Sequence, residues 1–124
     1  MKNRRRPCSR LKYKNVKEMV DGRTFDSRKE ACRYRQLKLL HLAGEISEPE
    51  CQPVFRLGTD ANPVKIKSKG YPNGRRVTWR ADFRYLDLKT GDTVVEDVKG
   101  MDTYRSRLKR ALVEAQFGVE IVLL

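Results

Sequence analysis

No stretch of this chain approaches the eighteen or so consecutive apolar residues that a membrane-spanning helix requires. The N-terminus also lacks the hydrophobic segment of a secretory signal, so a cytoplasmic protein without membrane contact is expected. Cysteine is scarce: Cys8, Cys32 and Cys51 are an odd number, far apart, with no C-x-x-C pair. That spacing argues against a disulfide framework or a zinc site and fits three reduced thiols. Cys32 falls in the apolar part of a predicted helix, where a packed thiol is expected and nothing suggests a nucleophile. A single histidine, His41, sits late in the same helix, so a surface or helix-end role outweighs a metal-ligand role. There is no internal repeat, and no biased segment beyond a basic arm at the N-terminus.

Acidic residues are outnumbered. Lys and Arg total 28 against 16 Asp and Glu, a net charge of +12 and a pI near 10.0. An excess of that size predicts a polyanionic partner, nucleic acid above all, bound through phosphate contacts and counterion release. Eight of the cations fall in residues 1–17, ahead of the first acid, Glu18: Lys2, Arg4, Arg5, Arg6, Arg10, Lys12, Lys14 and Lys17. These residues read as a flexible arm, and residues 18–124 as one domain. With 39% hydrophobic residues in periodic blocks, the chain is long enough to bury a core.

Ser27 followed by Glu30 has the spacing of a capping box and opens a helix. Ala31, Tyr34, Leu37 or Lys38, and Leu40 to Leu42 give it an apolar stripe, and Gly44 is placed to close it. "QPVFRL" (52–57) reads as a short strand begun by proline. Residues 58–76, with three glycines and two prolines, read as a long loop or protruding hairpin that turns at "YPNG" (71–74). "VTWRADFRYLDL" alternates strictly: Val77, Trp79, Ala81, Phe83 and Tyr85 face one way, and Thr78, Arg80, Asp82 and Arg84 the other. "TGD" (90–92) makes a hairpin turn into "TVVEDVKG". Asp102 or Thr103 caps a second helix stopped by Gly118, and "VEIVLL" closes the chain as a strand. The fold class is therefore α/β, a small mixed sheet flanked by helices.

Chemistry concentrates in "VVEDVKG". Pleating puts Val95, Asp97 and Lys99 on one side of the strand, and Val94, Glu96 and Val98 on the other. The hairpin pairs this strand with the one carrying Asp82. A register that joins their polar sides gathers two carboxylates and a lysine at one end of the sheet. Such a set suits a hard divalent cation acting on a phosphodiester, with the ammonium orienting water or stabilising charge. Paired acids also serve glycosidases, but so basic a chain is a poor match for a neutral sugar.

Asp82 in "RADF", fifteen residues ahead of Asp97-Val98-Lys99, resembles the bipartite motif of the PD-(D/E)xK nuclease superfamily. The order α-β-β-β-α-β is also that of the superfamily's restriction-endonuclease-like core. More closely, "DGRTFDSRKEACRYRQLKLLHLAGEIS", "CQPVFRL", "ADFRYLD", "VVEDVKG" and "YRSRLKRALVEAQFGVEI" look like a family of small phage-encoded proteins assigned to it. The likeness spans roughly residues 11–124 and extends to Holliday-junction resolvases in length, basicity and motif order. It implies catalytic roles for Glu30, Asp82, Asp97 and Lys99, with metal held by Asp82, Asp97 and the Val98 carbonyl. The metal implied is Mg²⁺, with Mn²⁺ as a substitute, and the location the host cytoplasm. Two departures stand out: Ala81 occupies the motif's proline position, and Glu96 is a second acid beside Asp97. The shared face of Asp97 and Lys99 favours Asp97 as ligand.

Plainer roles compete. Glu30 can be simply a capping residue, or both cap and site residue. Gln52 is as readily a strand-leading polar residue as a site neighbour. Tyr104, Arg105, Lys109 and Arg110 read as the solvated face of the last helix, and Tyr34 and Trp79 as core. The expected function is a Mg²⁺-dependent DNA endonuclease acting on branched DNA such as Holliday junctions. Its phosphate grips are Arg4, Arg5, Arg6, Arg10, Lys12 and Lys14 in the arm and Lys65, Lys67, Lys69, Arg75 and Arg76 in the excursion. Symmetric cutting of two strands implies a homodimer. The rival is a basic nucleic-acid-binding protein that keeps the fold without catalysis. An RNA-directed nuclease is disfavoured because no aromatic stacking surface stands out.

Overall fold

A computed structural model describes residues 17–98 and 102–124. The chain opens with a short hairpin, β1 (Glu18–Val20) and β2 (Arg23–Phe25), ahead of α1 (Arg28–Leu42). Then come β3 (Glu50–Cys51), β4 (Val54–Arg56), β5 (Lys65–Ser68), β6 (Tyr71–Arg76), β7 (Thr78–Arg80), β8 (Phe83–Leu86) and β9 (Thr93–Asp97). α2 (Tyr104–Phe117) and β10 (Glu120–Leu123) complete the fold. Among the described residues no helix is long and apolar enough to cross a membrane.

Local chemistry sets the helix ends where the sequence placed them. The Ser27 hydroxyl accepts the Glu30 N–H at 3.1 Å, satisfying a donor that the first turn leaves open. At the other end Gly44 takes φ +80°, and the N–H groups of Gly44 and Glu45 donate to the carbonyls of His41 and Leu40, both at 3.0 Å. That double closure needs a left-handed residue, which glycine adopts without a Cβ penalty. At α2, Thr103 rather than Asp102 is the cap, its hydroxyl accepting the Ser106 N–H at 3.1 Å. His41 is a helix-end residue, with Nδ1 at 3.2 Å from the Ile46 carbonyl.

The central sheet has the order β10-β9-β8-β3, with β8 antiparallel to both neighbours and β10 parallel to β9. A parallel pair requires a crossover, and α2 provides it. Two cores result. Phe25, Ala31, Tyr34, Leu37, Ile46, Phe83 and Val98 cluster with α1, while Phe55, Leu57, Val77, Trp79, Ala81, Val95 and Val113 cluster with α2. Tyr34 and Trp79 are thus core residues. The mixed α/β class holds.

Four local expectations are corrected. First, the alternation of residues 77–85 changes phase. Val77, Trp79 and Ala81 lie in the α2 core, but Phe83 and Tyr85 pack with the α1 core. The cause is a joint shared by two strands. Pairings Glu50↔Arg84 and Val54↔Arg80 keep one register across β3–β8 and β4–β7, yet the ladder breaks between them. There Gln52 takes φ +55°, and Pro53 has no N–H to give. Asp82 donates its N–H to the Glu96 carbonyl at 3.0 Å, while its own carbonyl accepts the Gln52 N–H at 2.9 Å. Its peptide groups therefore reach strands on opposite sides, which twists the backbone and re-aims the side chains beyond it. Second, and for the same reason, the strand in "QPVFRL" is shorter than its span: β4 covers Val54–Arg56 directly after Pro53, which sits in the joint, and Glu50–Cys51 pair with β8 as a separate strand.

Third, "YPNG" is not the turn. The β5–β6 hairpin pairs Ser68 with Tyr71, so the chain reverses at Lys69–Gly70. Residues 72–74 instead absorb a register shift between Ile66 and Ser68, a bulge that uses the same turn-forming residues. Fourth, Cys32 is exposed rather than packed, because the buried stripe of α1 runs through Glu30, Ala31, Tyr34 and Leu37.

Candidate active site

The joint in the sheet carries the first acid. Asp82 directly precedes β8 and is only 7% exposed. Its Oδ2 accepts the backbone N–H of Val98 at 2.5 Å, a short charge-assisted bond from the start of β8 to the end of β9. Register delivers it there. Phe83 faces Glu96, so the next step back along β8 and forward along β9 brings residue 82 level with residue 97. Side chains level with each other on antiparallel strands share a face. Asp97, 1% exposed, is the last residue of β9. The structure thus brings Asp82, Asp97 and Val98 together at one end of the two central strands. Lys99 lies outside the described residues.

The two acids of "VED" part company as the pleat requires. Glu96, also 1% exposed, turns toward α1, where Arg33 donates from Nε to Oε1 at 2.8 Å and from Nη2 to Oε2 at 2.6 Å. The Tyr85 hydroxyl adds a bond to Oε2 at 2.5 Å. Burial, and then this bond to a carboxylate, push the Tyr85 pKa up to about 12. Glu96 is therefore engaged by a fork from Arg33 and by a phenol. Asp97 turns the other way, toward α2.

There it meets a residue that the sequence reading assigned to a solvated helix face. Arg110 is 7% exposed, with Nη1 at 3.6 Å from Asp97 Oδ2, and Nη2 donates to Asp102 Oδ1. Arg107 donates to the Asp102 carbonyl at 2.9 Å. The Arg110 hydrogen bond holds the Asp102 carboxyl below its ordinary pKa. Arg110 therefore ties the start of α2 to the end of β9. Its burial depends on partners eight and thirteen positions away, a distance over which no local pattern signals contact.

Glu30 lies in the first turn of α1 and is 8% exposed, on the buried side of the helix with Ala31 and Tyr34. Its N–H completes the cap, and its side chain faces inward rather than to solvent. Gln52 is half-buried at the joint, where its left-handed backbone, not its amide, is the feature that matters.

Of the cations expected to grip DNA, Lys65, Lys67, Lys69 and Arg75 are exposed along the β5–β6 hairpin, and Arg75 lies 5.2 Å from the Tyr71 ring centroid. Arg76 is used differently. It donates to the carbonyls of Leu57 at 3.1 Å and Gly58 at 2.9 Å and to Asp60 at 3.0 Å, clamping the loop after β4. Arg4, Arg5, Arg6, Arg10, Lys12 and Lys14 lie outside the described residues, as does Cys8.

Among the described residues, the side chains that the register brings level at the sheet end, Asp82 and Asp97, offer two buried carboxylates, with the Val98 backbone bonded to the first. That is the donor chemistry of a hard divalent cation. Among the described residues no group of three or more acidic, histidine or cysteine side chains gathers as a complete ligand set. Mg²⁺ characteristically takes one or two carboxylates and completes its shell with water and substrate oxygens, so the set fits it.

These features define a mixed α/β protein with a pair of buried acids at the end of its central strands. A family model matches residues 10–122, nearly the whole chain, and the protein belongs to that family, described as "Protein of unknown function (DUF1064)". No curated protein and no solved structure matches it.

Proposed function

We propose that the chain is a Mg²⁺-dependent DNA endonuclease that hydrolyses phosphodiester bonds, selective for branched DNA, on an αβββαβ restriction-endonuclease-like core. The observation that carries the reading is the 2.5 Å bond from the Val98 N–H to Asp82, which anchors one acid beside Asp97 on the face away from Glu96. Asp82, Asp97 and the Val98 carbonyl are the groups to hold the metal. A bound Mg²⁺ would neutralise charge on the phosphate and make a coordinated water more acidic. Asp82 needs no reorganisation to act, because Val98 and the joint fix its carboxylate in place. Glu96, Arg33 and Tyr85 hold the end of β9 so that Asp97 keeps its orientation. Lys99 follows two residues after Asp97 in the chain, the motif position for stabilising charge, and Glu30 supplies a further inward acid.

Net charge of +12 supports DNA as the partner. Phosphate grip by the hairpin and the arm carries no base readout, so selectivity would come from DNA shape, and paired cuts from a two-fold homodimer. The test incubates purified protein with a four-way junction or a matched linear duplex, in Mg²⁺ or in EDTA. Cleavage of the junction in Mg²⁺ alone, lost in Asp97→Asn and Lys99→Ala, is expected. Tight, salt-sensitive binding with no metal-dependent cleavage of either substrate would make the protein a non-catalytic nucleic-acid-binding protein. Cleavage that survives in both variants would move the site elsewhere.

A further inference from the structure

The first half of α2 breaks a rule of helix charge. An N-terminus carries the positive end of the helix dipole and favours acids, yet the first turn of α2 has none and residues 105–110 supply Arg105, Arg107, Lys109 and Arg110. Arg107 and Arg110 are drawn to Asp102. Arg105 and Lys109, one turn apart and of like charge, share another face and weaken the helix there. Cations in such a position point to an anion that is bound rather than built in.

The space they face is a groove of about 460 Å³ between α2 and β4–β7. Arg80, Arg105, Ser106 and Lys109 line it, with Trp79 and Asp97 also on its walls. Lys109 is half-buried there, its Nζ donating to the Thr78 carbonyl at 3.2 Å, so it spans from helix to strand. Among the described residues, three cations and the hydroxyl residues Thr78 and Ser106 thus line a space whose one lining acid is Asp97.

We infer that this groove seats the sugar–phosphate backbone of the strand being cut, with Arg80, Arg105 and Lys109 as its phosphate contacts. The inference rests on the nuclease reading for the words "being cut", but the seating of a polyanionic strand does not. A backbone lying in the groove runs past Asp97, whereas the β5–β6 hairpin is a separate two-stranded sheet. The two cationic surfaces therefore divide their work: the hairpin adds affinity, and the groove aligns the strand with the acids.

The test measures affinity of the full chain for a short duplex and a four-way junction against KCl concentration in EDTA. The proteins are wild type, Arg80→Gln/Arg105→Gln, that pair with Lys109→Gln, and Lys67→Gln/Lys69→Gln. Arg80 and Arg105 are exposed, so the double variant keeps the fold and leaves the Lys109–Thr78 bond intact. Removing one cation from a phosphate lowers the slope of log affinity against log salt by roughly 0.9, so the groove double should drop by about two units. In Mg²⁺, with protein saturating, single-turnover cleavage by the groove variants should fall at least about tenfold, while saturation restores the hairpin variant. A wild-type salt slope in both groove variants overturns the groove and leaves the nuclease reading standing. Failure of wild type to cleave any substrate overturns the nuclease reading, and the slopes still decide whether the groove holds a strand.

Discussion

Arg33 is the residue whose loss best separates the scaffold of the site from its chemistry. Glu96 is 1% exposed and takes three hydrogen bonds, two from the Arg33 guanidinium and one from Tyr85. Removing one partner of a buried ion pair costs about 3–5 kcal/mol, because the other charge is left without compensation. The Arg33 side chain is 24% exposed, so water can reach the gap and the lower end applies, about 3 kcal/mol for Arg33→Met. For a chain of this size that corresponds to roughly 10 °C in Tm. Glu96→Met strands the Arg33 fork at a more accessible spot and should cost less, about 2 kcal/mol. The double variant replaces a pair by apolar surface and should fall well short of the sum, a coupling of about 2 kcal/mol. Urea unfolding of the four proteins closes the cycle. Costs that simply add, with coupling under about 0.5 kcal/mol, would refute the claim that Arg33 and Glu96 act as one buried unit. The same proteins test the division of the two acids. Glu96→Gln should keep any metal-dependent cleavage within about tenfold, while Asp97→Asn should abolish it.

The remaining expectations each isolate one link. Asp82→Ala removes the acceptor of the buried Val98 N–H and should cost about 1–3 kcal/mol by urea unfolding, together with cleavage. Gly58 and Gly44 both have positive φ, but a Cβ on Gly58 would lie 2.5 Å from the Asn62 carbonyl oxygen while one on Gly44 meets nothing within 4 Å. Gly44→Ala should therefore cost about 1–2 kcal/mol in thermal unfolding, and Gly58→Ala more, since backbone must also move. Tyr85 titrates near 12 when folded and near 10 when unfolded, so its stabilising contribution is full below pH 10 and fades as pH rises toward 12. Stability measured across that window should decline in wild type by more than in Tyr85→Phe, with the matching tyrosinate absorbance missing from the variant.

What the sequence disclosed was whatever depends on near neighbours. Ser27, Thr103, Gly44 and Gly118 act within one helical turn, so their caps were legible. The pleat of β9 is a two-residue rule, and it separated Glu96 from Asp97 correctly. Turn-forming residues were visible at 71–74, but a bulge asks for the same residues as a turn, so only the tertiary register tells which one forms. The β1–β2 hairpin went unseen because strands of three residues are too short to show alternation. Arg110 read as solvated because its partners, Asp97 and Asp102, lie beyond any helical repeat. The phase change at Asp82 is the most telling omission. Perfect alternation would have kept Val77 through Tyr85 on one face and left Asp82 aligned with the exposed Thr78 and Arg80. A joint that sends one residue's N–H and C=O to different strands is a property of three strands at once, and no single strand encodes it. That joint is also what buries the acid, aims it at the Val98 amide and sets it level with Asp97. The unreadable part of the fold and the candidate site therefore have one cause: the strand departs from its period at the residue whose side chain must leave the solvent face.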